Sequence, residues 1–211
     1  MDPGYLPGLE RIGIMANYIL LAGTFIHSYL KPREHTEWLI VSSTSYFIFA
    51  FFTIFFLMFA RAAVIEPIVI PLAILWSIGF LFLIKSRVEL ISGKSWIIPL
   101  ALLLLSIGQE MFAVATADED SAFFLIFWYM LGLFVVFGGS VLTGKLMDRL
   151  FPALTNQHVA AMRESFGEEA PKVIKFKNGD VTKGDWTPGT CASMGIIYSV
   201  WMLLRHMLFP F

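Results

Sequence analysis

The stretch Leu102–Asp120, LLLLSIGQEMFAVATADED, decides how the chain is read. It opens on a leucine run suited to lipid, carries Gln109 and Glu110 side by side near its middle, and closes on Asp118, Glu119 and Asp120. As part of a water-soluble domain it has too few polar positions to build a solvent face. As a membrane span it ends at an acidic boundary and holds one carboxylate inside. An ionised carboxylate there costs several kcal/mol unless it is paired, protonated or wetted.

Composition chooses between the two. Of 211 residues, 57% are hydrophobic and 15% charged, with a mean hydropathy of +0.74; soluble domains average about 25% charged. Runs close to the ~20 apolar residues that cross a bilayer recur along the chain. Six can be drawn: Ile12–Leu30, Trp38–Ala60, Ile68–Ile84, Trp96–Thr116, Ala122–Gly144 and Met194–Phe211. The expected fold is therefore an all-α integral membrane protein of six transmembrane helices. The third run is the shortest and carries Pro67 and Pro71 at its start, where a helix tolerates proline. Five spans plus a re-entrant segment is the alternative. In domain terms, 1–144 forms a five-span bundle, 145–193 an extramembrane loop, and 194–211 the sixth span.

Charge orients these spans. Lys31, Arg33, Lys85, Arg87, Lys94, Lys145, Arg149, Arg163, Lys172, Lys175, Lys177 and Lys183 fall in the first, third and fifth loops, which makes 12 of the 15 basic residues. The other side keeps Arg11, Arg61, Arg205 and the acidic run at 118–120. Basic loops stay on the cytoplasmic, matrix or stromal type of face, so both termini are expected on the outer face. Which membrane is involved is left open. The N-terminal MDPGYLPGLER has neither a basic signal-peptide start nor the look of a transit peptide.

Within the fifth loop, TNQHVAAMRESFG reads as an interfacial helix capped by Thr155, with Val159, Met162 and Phe166 on one face and Gly167 at its end. KVIKFKNGDVTKGDW follows, with Asn178-Gly179 between short alternating runs, a β-hairpin signal.

Glu110 lies six residues before Thr116, about 9 Å inside the boundary at 1.5 Å per residue. Spans four and six run in the same direction, and Arg205 lies six residues before Phe211, at the same depth. Asn17 of span one and Tyr129 of span five fall close to that level. An intramembrane polar cluster of Asn17, Gln109, Glu110, Tyr129 and Arg205 is expected. Three roles are open to it: a buried Glu110–Arg205 pair fixing helix register, a proton- or cation-handling site, or a protonated Glu110 beneath a snorkelling Arg205. The pair is preferred, because only one carboxylate is truly intramembrane.

Other chemistries find less support. His27 and His206 sit near opposite faces, which argues against a haem held between them; His27 with His35 could hold a metal or a quinone head group, though solvated histidines are common at helix ends. Every lysine lies in a loop or at its edge, so a retinal Schiff base has no anchor. No Ser/His/Asp set shares a depth, and the glycines form no phosphate-cradling loop. The single Cys191 excludes an intrachain disulfide. A net charge of -1 argues against nucleic acid. No catalytic residue, metal or cofactor is expected beyond bound lipid.

Packing signals concentrate on span five, in Gly132, Gly138, Gly139, Ser140 and Gly144, since small residues let helix backbones approach in lipid. Span one adds Gly13, Ala16 and Gly23. Span two, SYFIFAFFTIFFLMFA, has phenylalanine on every face. Few intramembrane polar groups, this aromatic surface and a polar loop suited to docking point to an accessory or scaffold subunit of a larger membrane complex, possibly a bioenergetic one. Other membrane subunits and membrane lipid are its expected partners. A small transporter or channel with Glu110 and Arg205 lining a polar path is the alternative.

Overall fold

A computed structural model describes residues 6–43, 97–116, 119–166 and 187–208. Span three, most of span two and the Asn178-Gly179 hairpin lie outside the described residues. Every element among those described is a helix: α1 (Leu6–Leu30), α2 (32–43), α3 (Ile97–Thr116), α4 (Glu119–Leu150), α5 (Pro152–Phe166) and α6 (Pro188–Leu208).

Three of the starts are proline starts. Pro32, Pro152 and Pro188 each occupy the first helical position, where the missing N–H removes nothing and the fixed φ suits the helix. Only Lys31 separates α1 from α2. Its amide closes α1 on His27 O at 3.0 Å, and its carbonyl accepts from Glu34 N at 3.2 Å to open α2. The first loop is thus far shorter than the expected 31–37. Phe151 does the same for α4 and α5, donating to Met147 O at 2.8 Å and accepting from Leu154 N at 3.1 Å. Thr187 caps α6: its hydroxyl accepts from Thr190 N at 3.2 Å and its carbonyl from Cys191 N at 2.9 Å.

The helix bounds correct three sequence expectations. Thr155 does not cap α5; the helix opens at Pro152, and Thr155 lies one turn inside it, buried. Helix α4 also runs on past Gly144 to Leu150, and α6 begins at Pro188 rather than Met194. Polar residues end a hydropathy run without ending a helix, so the backbone stops where proline and caps stop it.

Helix α6 packs mainly on α4 and α1, and α3 leans on α1. The directions follow from paired contacts. On α1, Tyr18 stacks on His206 with ring centroids 5.7 Å apart, while Phe25 lies against Gly195, so α1 and α6 are antiparallel. Along α4, Gly132 meets Trp201, Gly139 meets Ile197 and Gly144 meets Thr190, again antiparallel to α6. Trp201 fills the notch at Gly132, stacks on Trp128 at 4.4 Å and donates its indole N–H to Trp128 O at 3.3 Å.

Not every small residue serves this packing. Among the described residues, a Cβ at Gly138, Gly13 or Gly23 would meet nothing within 4 Å. Gly138 points outward beside Phe134 and Leu142, which are 74% and 75% exposed, because only one stripe of α4 faces α6. Ser140 is buried and bonds back to Phe137 O at 2.9 Å.

Three helices are long and apolar enough to cross a membrane: Ile12–Leu30, Phe123–Leu150 and Pro188–Leu208. Exposed Ile19, Leu20, Phe123, Phe127, Phe134 and Leu142 extend their apolar surface outward. Apolar area on that scale suits lipid rather than water.

The two classes of glycine should behave differently. A Cβ at Gly189 would stand 2.5 Å from Gly144 O and 2.6 Å from Asp148 Oδ1, in contact with backbone and carboxylate. Gly189→Ala is expected to cost about 1–3 kcal/mol of stability through overpacking. Gly138→Ala should leave stability unchanged or raise it by up to about 1 kcal/mol. Thermal unfolding of both variants in one detergent checks the contrast.

Candidate functional site

Four helices deliver polar side chains to one buried level. From α1 come Asn17 and Tyr18; from α3 Ser106, Gln109 and Glu110, which share a face at i, i+3 and i+4; from α4 Tyr129; from α6 Arg205 and His206. Glu110 is 7% exposed and Arg205 1%.

Both carboxylate oxygens of Glu110 are occupied. Oε1 accepts from the Tyr18 hydroxyl and from His206 Nε2 at 2.9 Å. Oε2 accepts from the Tyr129 hydroxyl and faces Arg205 Nη1 at 3.8 Å. Beside this group, Asn17 donates through Nδ2 to Ser106 Oγ at 2.8 Å and to Gln109 Oε1 at 3.3 Å. The expected residues therefore meet in two linked sets, Glu110 with Tyr129 and Arg205, and Asn17 with Gln109. Neither Tyr18 nor Ser106 was picked out from the sequence. His206 was weighed there only as a haem ligand.

Donor and acceptor chemistry assigns the protons. A carboxylate only accepts, so the ring nitrogen facing Glu110, Nε2, carries hydrogen. Arg205 Nη1 lies 2.8 Å from His206 Nδ1 and 2.9 Å from its Nε2. Donors stand on both oxygens of Glu110, and the guanidinium of Arg205 lies beside them. Among the described residues these groups are directed at one another, and such an arrangement offsets part of the cost of taking an ion pair out of water.

Two further polar knots lie at the other end of α6. Asp148 of α4 accepts through Oδ1 from the Gly189 amide at 3.1 Å and from the Thr155 hydroxyl at 2.9 Å, so a side chain of α4 holds the first turn of α6. His158 of α5 reaches Tyr29 O of α1 at 2.8 Å and Thr36 Oγ1 of α2 at 2.6 Å. Neither is legible in the sequence, since Asp148 lies in an expected loop and His158 on the polar side of an expected surface helix.

His27 and His35 face each other with centroids 5.1 Å apart, and His35 Nε2 lies 3.7 Å from the exposed Glu34. Burial, followed by the neighbouring His27, lowers the pKa of His35. Among the described residues no three His, Cys, Asp or Glu side chains are grouped to hold a metal. No family model, curated protein or solved structure matches this chain.

Removing one member of a closed charged cluster strands the other. Glu110→Ala should cost about 3–5 kcal/mol, because the buried Arg205, His206, Tyr18 and Tyr129 lose the carboxylate they face. Glu110→Gln/Arg205→Met is expected to cost less than the sum of its single variants by about 1–3 kcal/mol. Equilibrium unfolding of the four proteins of this cycle measures the coupling, and strict additivity would mean that the two groups do not interact.

Proposed function

We propose that this chain is a non-catalytic accessory or scaffold subunit of a larger membrane assembly. In this reading it crosses the membrane six times, with both termini on the outer face and the loop of residues 145–193 on the basic face. The observation that supports the proposal is the inward turn of the Glu110 cluster: among the described residues its carboxylate, guanidinium, imidazole and two phenols are directed at one another. Buried ionic groups used in this way fix which helices meet and in what register. A group that binds and releases an ion in each cycle needs an open position instead. The exposed aromatic stripe of Phe123, Phe127 and Phe134 on α4 supplies lateral surface for lipid or for helices of neighbouring subunits.

A second reading, a small transporter or channel, draws on the same residues. Glu110, His206, Tyr18 and Tyr129 are all dissociable and within hydrogen-bonding reach at one depth, and intramembrane ionisable groups are frequent in proton pathways.

Extraction from the native membrane in mild detergent separates the two. The subunit reading expects a particle several times heavier than 23.8 kDa with different polypeptides co-purifying in fixed ratio. A stable monomer or symmetric homo-oligomer would refute it. In proteoliposomes, the transporter reading expects Glu110→Gln to abolish ion or proton flux while the protein remains folded.

A further inference from the structure

The corner between α1 and α2 brings two histidines together. His27 stands in the last turn of α1 and His35 in the first turn of α2, with Lys31 alone between the helices. Lys31 N closes on His27 O at 3.0 Å and Glu34 N on Lys31 O at 3.2 Å, so the junction is a tight one. The residues beside each histidine are anchored to α5. Tyr29 is buried and stacked on His158, and the buried Thr36 has its hydroxyl 2.6 Å from His158 Nδ1. The backbone that carries the two rings is therefore fixed independently of anything they bind.

The rings themselves sit at chelating distance. Their centroids are 5.1 Å apart and their planes are inclined by 55°, so they do not lie flat on one another. Two imidazoles that share a tetrahedral ion through nitrogens about 2.0–2.1 Å from it have centroids about 5 Å apart. His27 is exposed and His35 is partly buried, which leaves an approach to the pair from outside the bundle.

A carboxylate stands where an ion-binding imidazole needs one. His35 Nε2 faces Glu34 Oε2 at 3.7 Å. Ligating imidazoles commonly set their second ring nitrogen against a carboxylate, which fixes tautomer and ring orientation. In that arrangement Nδ1 of His35 is the nitrogen turned to the ion. Glu34 also meets Lys31 Nζ at 3.6 Å, so the nearest lysine charge is answered by the same carboxylate.

We propose that His27 and His35 form a two-imidazole site for a divalent transition ion of the Zn²⁺ or Cu²⁺ class, with Glu34 as a positioning carboxylate. The site stands independently of the subunit reading. Imidazole nitrogens select such ions over Mg²⁺ and Ca²⁺, which take oxygen ligands. Water completes the coordination shell. Two protein ligands hold an ion less firmly than the four of a structural zinc site, so the ion is exchangeable and a chelator removes it. Bound there, it ties the end of α1 to the start of α2 across Lys31.

The test titrates untagged full-length protein in lipid nanodiscs, stripped with a chelator, with Zn²⁺ alone and follows the heat of binding. One ion per chain is expected, reversed by EDTA and indifferent to excess Mg²⁺. His27→Gln and His35→Gln should each remove binding as completely as the double variant, because one ring cannot chelate. Glu34→Ala should lower the affinity about tenfold. With Cu²⁺ in place of Zn²⁺, electron paramagnetic resonance of the parent protein should show coupling to two imidazole nitrogens. That spectrum needs no variant, and it decides alone should a substitution unsettle the fold. Three outcomes overturn the site: no Zn²⁺ bound by the parent protein, binding that survives in either single histidine variant, or copper coupled to fewer than two imidazoles. An unaltered affinity in Glu34→Ala overturns the role given to that carboxylate.

Discussion

The structure depends on the cost of burying the Glu110 carboxylate. Glu110 tolerates that position only while Tyr18, Tyr129, His206 and Arg205 stand around it, and these belong to three other helices. A one-residue rotation of any of them would turn its donor away by about 100° and leave a buried charge short of partners. The requirement thus sets the rotation and depth of α1, α3, α4 and α6 together. Apolar packing between helices in lipid is less selective, because lipid tails are as apolar as leucine.

Helix α6 shows the consequence most directly. Near its C-terminal end Arg205 and His206 enter the Glu110 cluster, and at its first turn the Gly189 amide is held by Asp148. Between these polar clamps the contacts are steric: Gly195 against Phe25, Ile197 against Gly139, and Trp201 in the notch at Gly132. Polar bonds at the ends fix register while small residues in the middle set distance. Neither substitutes for the other, since a glycine notch permits close approach without choosing a partner.

This division explains what could be read from the sequence. The level shared by Glu110, Tyr129 and Arg205 was legible because depth follows from counting residues along spans whose directions the basic loops suggest. The all-helical, membrane-type architecture was legible from long apolar runs. Rotation about each helix was not. Gly138 is indistinguishable in the sequence from Gly132, yet one faces outward and the other receives an indole. Tyr18 looks like one more aromatic residue in a span, although its hydroxyl is a ligand of the central carboxylate. Helix ends were misplaced for a different reason. Hydropathy reports where lipid contact stops, whereas Pro152 and Pro188 with their caps report where the backbone turns, and only the second determines that Asp148 reaches Gly189.

The two ends of the bundle also differ in what holds them. At the Glu110 level a carboxylate and a guanidinium meet beside His206, Tyr18 and Tyr129. At the α5 seam the buried His158 meets Tyr29 O and Thr36 Oγ1, and Asp148 is met by a hydroxyl and an amide. A charged pair therefore gathers the long helices at one end, while hydrogen bonds to uncharged groups seat the short helix α5 at the other.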